Sequence, residues 1–241
     1  MSLINRLNIL HSELKSDIPI IMNKISVSKP LLIMMYGYPG SGKTFFARQL
    51  CDQLQIVHVQ GDRIRYELFD EPQYDKQENE IVTHLVDYMT EEFLKVGVSV
   101  IYDINAMRLS QRRVLREMAR KVNAEPILMW FQIDIESAFS RIAGRDRRKI
   151  DDKYTMKLDR TSFDNYVAHM QNPGRDENYI VVSGKQVFKT QFSSLLKHLS
   201  ELNLVKVENT NPNLVKPGLV NLIPKPLGGR VDLSRRNIVI R

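Results

Sequence analysis

Cysteine and long apolar runs are the two features that this sequence of 241 residues has least of. The single cysteine, Cys51, excludes an intramolecular disulfide, and we expect it to be a small buried side chain. No apolar run reaches the roughly 18 residues that a membrane span needs. The first residues also lack the basic start and long apolar core of a signal peptide. These absences predict a cytoplasmic protein that makes no membrane contact.

Positive charge is what the sequence has in excess. The formal net charge is +7, and 43% of the residues are hydrophobic, which is enough for a sizeable core. A basic balance favours anionic partners, among them nucleotides, nucleic acids and acidic surfaces. Many soluble proteins are equally basic without such a partner, so the charge alone leaves both interpretations open.

Short apolar runs alternate with amphipathic segments along most of the chain. This alternation predicts a parallel α/β sheet in which helices connect the strands. The predicted strands are 31–36, 56–60, 98–104, 125–133 and 178–182, and the predicted helices are 43–54, 78–96, 109–122, a segment from 136, 155–171 and 186–202. We expect Ser110 to cap the helix that begins at 109.

The two ends of the chain differ in pattern from the alternating part. Leucines recur at helical spacing near the start, which predicts an N-terminal helical extension over residues 1–29. Residues 203–241 contain four prolines, several asparagines and a basic end, which predict an extended basic C-terminal tail. The single domain between them is predicted to cover residues 30–202.

The segment "GYPGSGKT", residues 37–44, fits the phosphate-binding pattern G-x-x-x-x-G-K-[ST] at every defined position. Glycines let the backbone approach phosphates, and the following helix N-terminus favours negative charge. Lys43 can reach the β- and γ-phosphates of a nucleotide, and the Thr44 hydroxyl can bind Mg²⁺. A glycine-rich turn that binds nothing is the alternative. The predicted nucleotide-binding residues are Gly37, Pro39, Gly40, Ser41, Gly42, Lys43, Thr44 and Phe45.

Polar residues follow the second and third predicted strands, where ligands of α/β sheets bind. Asp62 can accept the proton of a hydroxyl, and Arg65 can hold an anionic acceptor. Alternatively, Asp62 caps a helix and Arg65 is solvated. Asp103 is a candidate for contact with Mg²⁺, through water, or with the acceptor; alternatively, it is a turn residue that ends the strand. Arg112 and Arg113, on the next helix, face either acceptor phosphates or solvent.

A basic segment, "SRIAGRDRRK", follows the fourth predicted strand. Arg141, Arg145, Arg147 and Arg148 repel one another, and an anion among them would relieve that repulsion. Arg141 and Arg145 share one face of a helix, so they are candidates to close over a γ-phosphate. A solvated basic helix end is the alternative. Gly184, in the turn after the fifth strand, is a candidate to contact a nucleotide base.

These motifs together resemble the P-loop kinases related to polynucleotide 5′-hydroxyl kinases, zeta-type toxins and chloramphenicol phosphotransferases (AAA_33-type ATP-binding proteins). The resemblance covers residues 31–200 and rests on "GYPGSGKT", "GDRIR", "IYDIN", "SRIAGRDRRK" and "QNPGRDENYIVVSG". It implies a P-loop NTPase three-layer sandwich. The expected sheet has five parallel strands in the order 2-3-1-4-5, with helices on both faces and a helical lid over about 136–172.

The resemblance also implies a role for each site residue. Asp62 is expected to be the base, Arg65 the acceptor clamp, and Arg141 or Arg145 the lid arginine, with adenine between the lid and Gly184. "GDRIR" has Gly61 where polynucleotide kinases often have arginine.

The predicted function is an ATP-dependent kinase that uses Mg²⁺ and transfers the γ-phosphate to a hydroxyl. The acceptor could be a polynucleotide end, a nucleoside, a nucleotide sugar or an antibiotic. The alternative is an ATP-regulated protein that binds a nucleic acid or a protein partner without transferring phosphate. The two functions can be distinguished by measuring free phosphate and phosphorylated acceptor separately, because only the kinase forms a phosphorylated acceptor.

Overall fold

A computed structural model describes residues 25–146, 148, 153–156, 158–174 and 176–205. The predicted helix near the start of the chain, Arg147, and the predicted tail from residue 206 onward lie outside the described residues.

A five-stranded parallel sheet forms the centre of the molecule. Its strands are β1 (Leu31–Gly37), β2 (Ile56–Gln60), β3 (Ser99–Asp103), β4 (Glu125–Gln132) and β5 (Tyr179–Ser183). Their spatial order is β2-β3-β1-β4-β5, with parallel pairing throughout. All seven residues of β1 are buried, as expected for a central strand covered on both faces. The predicted strand order is confirmed.

Helices cover both faces of the sheet, so the predicted three-layer sandwich is confirmed. The described helices are α1 (Lys43–Gln53), α2 (Gly61–Leu68), α3 (Lys76–Lys95), α4 (Leu109–Lys121), α5 (Ile135–Ala143), α6 (Arg160–Ala168) and α7 (Phe188–Glu201). Buried residues of α1 and α7 join one core cluster, and those of α3 and α4 join the cluster on the opposite face. No helix within the described part of the chain is long and apolar enough to cross a membrane.

Aspartate side chains fix the starts of three helices. Asp75, Asp134 and Asp159 each accept a hydrogen bond from a backbone N–H in the first turn of α3, α5 and α6. Because Asp159 is the cap, α6 begins at Arg160 and not at the predicted residue 155. The prediction that Ser110 caps α4 is wrong, since Arg108 holds the cap position and α4 already includes Ser110.

The described ends of the two flanking segments pack on the α1 and α7 face. Ile25 forms a parallel bridge with Leu54, and the Ser28 N–H donates to the Leu204 carbonyl at 2.9 Å. Ile25, Leu204 and Val205 are buried in the same core cluster. This packing brings the two ends of the described chain side by side.

Candidate active site

A cavity of about 570 Å³ lies at the carboxyl ends of β1, β2 and β3. Most of the predicted site residues meet there, although they are spread over the chain. Those that line the cavity are Pro39, Gly40, Gly42, Lys43, Thr44, Phe45, Asp62, Arg65, Asp103, Arg141, Arg145 and Gly184. Gly37 ends β1 beside the cavity, and Ser41, a residue of the same loop, is fully buried.

The glycine loop, residues 37–44, is packed tightly against the elements around it. Gly40 has φ +83°, and a Cβ atom there would lie 2.3 Å from the Ala138 carbonyl oxygen of α5. A Cβ atom on Gly184 would lie 2.6 Å from the Ser41 carbonyl oxygen. Glycine is therefore needed at both positions for close approach of backbones, and these contacts set the loop against α5 and the turn after β5.

Lys43 is held against the loop by backbone carbonyls. Its Nζ donates to the carbonyls of Gly37 at 2.8 Å and Tyr38 at 2.9 Å. Burial lowers the pKa of Lys43 to about 8, with the Asp103 carboxylate acting in the opposite direction. The loop therefore holds an ammonium group that a phosphate anion would stabilise in its charged form.

Asn105, just after β3, fixes the start of the loop from the other side. Its Nδ2 donates to the Gly37 carbonyl at 3.0 Å, and its Oδ1 accepts from the Gly37 N–H at 3.3 Å. The same amide contacts the Tyr166 hydroxyl at 3.3 Å. One side chain thus joins the glycine loop to α6.

Asp62 lies in the first turn of α2 with its side chain at the cavity wall. Gln60 holds the cap position of this helix, so the alternative role of Asp62 as the cap is wrong. Burial raises the pKa of Asp62 to about 6, and repulsion from Asp103 adds to the effect. Arg65, Arg145 and Lys43 act in the opposite direction. A partly buried carboxylate with this pKa is a candidate general base near neutral pH.

Asp103 ends β3 and makes a contact that the sequence did not predict. Its Oδ2 lies 2.8 Å from Nε2 of His58 on β2, and both side chains are largely buried. Finding this pair from sequence would have required the register of two strands that are far apart in the chain. His58 therefore fixes one oxygen of the Asp103 carboxylate.

The oxygen donors Thr44 and Asp103 suit Mg²⁺, which binds through one or two protein oxygens together with phosphates and water. Among the described residues no cluster of three or more His, Cys, Asp or Glu side chains could hold a metal by itself. The donor set therefore fits a metal that arrives with a nucleotide.

Arg65 lines the cavity, but its guanidinium is already paired within the protein. It is 6% exposed, and it donates from Nη1 to Glu78 at 3.0 Å and from Nη2 to Asn79 at 2.6 Å. Its face lies over the Tyr74 ring at 4.6 Å. The alternative that Arg65 is solvated is wrong.

The two lid arginines both face the cavity. Arg141, on α5, donates to the Gly184 carbonyl at 2.9 Å, which brings the predicted lid and the predicted base-binding turn together. Arg145 contacts the Met156 carbonyl at 3.5 Å. Arg148 pairs with its neighbour Asp146 on the surface.

Arg112 lies in neither of its predicted surroundings. It is fully buried and forms an ion pair with Glu177 at 2.7 Å, away from both solvent and the cavity. Arg116 also contacts this carboxylate, whereas Arg113 is exposed. The pair ties α4 to the segment before β5.

Three solved structures, two of them named as kinases, share this fold at low sequence identity. A gluconokinase from Sinorhizobium meliloti is 16% identical, with 72% of this chain and 93% of that chain covered and a TM-score of 0.52. Chaetomium thermophilum Kti12, solved with ADP-AlF3, is 16% identical, with 73% and 99% covered and a TM-score of 0.54. The Mycobacterium tuberculosis APS kinase CysC, solved with AMPPNP and APS, is 12% identical, with 71% and 98% covered and a TM-score of 0.51.

A comparison with curated proteins found no match. The family described as "AAA domain" (AAA_33) matches residues 32–173, which is more than half of the chain and includes the glycine loop, Asp62, Asp103 and the lid arginines. On this match and this fold, the protein belongs to the AAA_33 family of P-loop proteins.

Proposed function

We propose that the protein is an ATP-dependent kinase that transfers the γ-phosphate to a hydroxyl acceptor. One observation carries the proposal: a carboxylate with a raised pKa, Asp62, lines the same cavity as the phosphate-binding lysine, Lys43. A site that only senses a nucleotide does not need such a base. The kinase names of several structural neighbours support the same conclusion.

The glycine loop and α1 hold the triphosphate in this proposal. The loop N–H groups and the helix N-terminus favour the phosphate charge, and Lys43 moves from the loop carbonyls to the phosphates. Thr44 and Asp103 would hold Mg²⁺, which when bound neutralises charge on the phosphate oxygens. His58 keeps the Asp103 carboxylate oriented.

Asp62 acts as the general base. With a pKa near 6 it is mostly ionised at pH 7, so it can accept the proton of the acceptor hydroxyl. As that O–H bond breaks, the acceptor oxygen forms a bond to the γ-phosphorus and the bond from phosphorus to the ADP oxygen breaks. The proton ends on Asp62, and the electron pair of the broken P–O bond stays on ADP.

Arg141 and Arg145 complete the site from the lid side. Both line the cavity from or just after α5, whose Ala138 carbonyl packs on the glycine loop. They are therefore placed to donate hydrogen bonds to the γ-phosphate as its charge redistributes. Phe45, which is 49% exposed, and Gly184 bound the side of the cavity where adenine would lie.

The test is transfer of labelled γ-phosphate from ATP to a panel of acceptors. The panel should contain 5′-hydroxyl RNA and DNA, nucleosides, gluconate and adenosine 5′-phosphosulfate. ADP, free phosphate and phosphorylated acceptor are counted separately. We expect phosphorylated acceptor in step with ADP, and loss of both in Lys43→Ala.

Lys29→Ala is the matched control, because Lys29 is a partly exposed lysine paired with Glu125 outside the site. It should retain the wild-type rate. ATP binding with no phosphorylated acceptor across the panel would instead favour the nucleotide-regulated binding protein.

A further inference from the structure

The active-site cavity continues into a second cleft on its acceptor side. This cleft, of about 900 Å³, shares Tyr74, Met156, Leu158 and Tyr166 with the cavity that contains Asp62. The shared residues form a common wall between the surface and the base. An acceptor bound against this wall would therefore lie next to the cavity that contains Asp62.

Tyrosine rings and apolar side chains make up half of the residues that line the acceptor cleft. Tyr66, Tyr74 and Tyr166 line it, together with methionine and leucine side chains. Aromatic side chains of this kind bind a flat ring by stacking and by burial of area. The composition of the wall favours an acceptor with a planar ring over a small polyol.

Acidic side chains outnumber lysines and arginines among the described residues that line the acceptor cleft. Arg108 is the single lysine or arginine among the described residues that line it, and Asp70 and Glu71 lie on the same cleft. A polyanionic ligand needs several cations that remain available to it. The described wall does not offer them.

Arg65, which lies three residues after the base, is largely committed to other groups, and its remaining donor, Nε, is buried without a hydrogen-bond partner. Glu78 neutralises it, Asn79 accepts a second hydrogen bond, and Tyr74 covers its face. An anionic acceptor would have to displace a buried ion pair whose carboxylate is itself held by the N–H groups of Gln73 and Tyr74. Arg65 is therefore placed to position Tyr74 and not to bind an acceptor phosphate.

Tyr74 is fixed in a conformation that few non-glycine residues adopt. Its φ is +58°, in the left-handed region. Its N–H donates to Glu78 at 2.8 Å, its carbonyl accepts from Asn79 at 3.1 Å, and Arg65 stacks on its ring. Strain that is held in place by so many contacts is typical of functional sites, and here it fixes the ring that both cavities share.

We propose that the acceptor is an uncharged alcohol with a planar ring, which packs against Tyr74 and Tyr166 and presents its hydroxyl to Asp62. The inference rests on the proposed kinase activity and narrows its acceptor. A nucleic acid end, whose phosphates would meet two carboxylates and one arginine on the described wall of the cleft, is the outcome that would count against the proposal.

Pairs of acceptors that differ by one phosphate test directly whether the preferred acceptor is uncharged. Adenosine and adenosine 3′-monophosphate carry the same ring and the same 5′-hydroxyl but differ by a phosphate, and uridine with its 3′-monophosphate makes a second pair. We expect kcat/KM for the uncharged nucleoside to exceed that for the monophosphate by about tenfold or more. Ribose, which lacks the planar ring, should be at least about tenfold worse than either nucleoside.

Variants of Tyr74 test whether its aromatic ring binds the acceptor. Tyr74→Leu should raise the KM for the nucleoside by about tenfold while the KM for ATP stays within about twofold. Tyr74→Phe keeps the ring and should recover most of the nucleoside affinity that Tyr74→Leu loses. Tyr88→Leu is the surface control, because Tyr88 is an exposed tyrosine of α3 outside both cavities. Thermal unfolding of each variant shows whether a loss reflects folding, and the wild-type acceptor pairs do not depend on any variant.

Two failures can be told apart. Faster transfer to the monophosphates than to the nucleosides overturns the uncharged acceptor but leaves the kinase proposal standing. Transfer to no member of the panel, while ATP still binds, overturns the kinase proposal and this inference with it.

Discussion

Asp62, the proposed base, is a residue at which catalysis and folding would make opposing demands. Its carboxylate must be ionised to accept a proton, yet burial and the nearby Asp103 favour the neutral form and raise its pKa to about 6. An ordinary aspartate in the unfolded chain titrates near 3.8. Ionisation of Asp62 therefore costs the folded state free energy that it does not cost the unfolded state.

Asp62→Asn should stabilise the protein at neutral pH. Because the pKa of Asp62 is raised in the folded state, protonated Asp62 contributes to the stability of the protein. This contribution is fully present below about pH 3.8 and is lost as the pH rises through about 6. Asparagine removes that loss, so we expect the free energy of unfolding at pH 7 to rise by roughly 1–3 kcal/mol over wild type. The difference should shrink toward pH 4, as measured by denaturant unfolding at both values. If the difference in unfolding free energy between the variant and the wild type did not change with pH, the raised pKa of Asp62 would be contradicted.

His58 illustrates a positioning role that sequence reasoning missed. Its contact with Asp103 at 2.8 Å joins two strands, and neither residue is near the other in the chain. Strand periodicity indicated which residues end a strand at the ligand edge, so Asp62 and Asp103 were found. The partners His58, Glu78 and Asn79 depend on tertiary contacts and left no local signal.

His58→Leu should weaken the binding of Mg²⁺ without removing nucleotide binding. The Asp103 carboxylate loses the group that orients it, so the Mg²⁺ concentration for half-maximal transfer should rise about tenfold. Mn²⁺ titration followed by electron paramagnetic resonance, with a nonhydrolysable ATP analogue bound, gives a readout independent of turnover. His58→Asn, which retains a donor, should recover part of the affinity, and His84→Leu on α3 is the control. Unchanged metal affinity in His58→Leu would contradict the role.

At the scale of elements, the contact between the glycine loop and α5 joins the proposed nucleotide site to the proposed lid. The sequence predicted β1, the loop and α1 closely, because a continuous apolar run followed by glycines leaves few alternatives. It did not predict α2 among the helices, and it began α6 five residues too early. Caps and short helices are weak signals, because each depends on a few hydrogen bonds and not on a long periodic pattern.

Gly40→Ala should disrupt this contact. A Cβ atom would lie 2.3 Å from the Ala138 carbonyl oxygen, and the backbone at φ +83° disfavours alanine as well. We expect the affinity for ATP, measured by calorimetry with Mg²⁺ present, to fall at least about tenfold. Gly144→Ala, at the end of α5, has ordinary φ and its nearest neighbour at 3.5 Å. It should stay within about twofold of wild type, and equal affinities for the two variants would argue against the contact.

At the scale of the whole molecule, a buried ion pair joins the helical layer to the segment that leads into β5. The sequence left two predictions open for Arg112, namely contact with solvent or with an acceptor phosphate. Nothing in the neighbouring residues of a basic helix indicates that one of its arginines is buried. Arg112 instead contacts Glu177, and its guanidinium also donates to the carbonyls of Ala106 and Gln171. Burial would raise the pKa of Glu177, but hydrogen bonds from Arg112 and Arg116 outweigh it and lower the pKa to about 2.

Glu177→Gln should destabilise the whole domain. It leaves the Arg112 charge buried without a carboxylate, which costs about 3–5 kcal/mol in comparable cases. Because the pKa of Glu177 is lowered, its contribution is present above about pH 4.5 and fades as the pH falls toward 2. Glu125→Gln, which breaks the more exposed pair with Lys29, should cost less than about 1 kcal/mol. Similar losses in denaturant unfolding for the two variants would contradict the structural role.

The rate of labelled γ-phosphate transfer in Asp62→Asn at saturating ATP tests the central claim most directly. The account predicts that the variant binds ATP as tightly as wild type and transfers phosphate at least about 100-fold more slowly, because the acceptor hydroxyl has lost its base. Equal transfer rates in the variant and the wild type would contradict it.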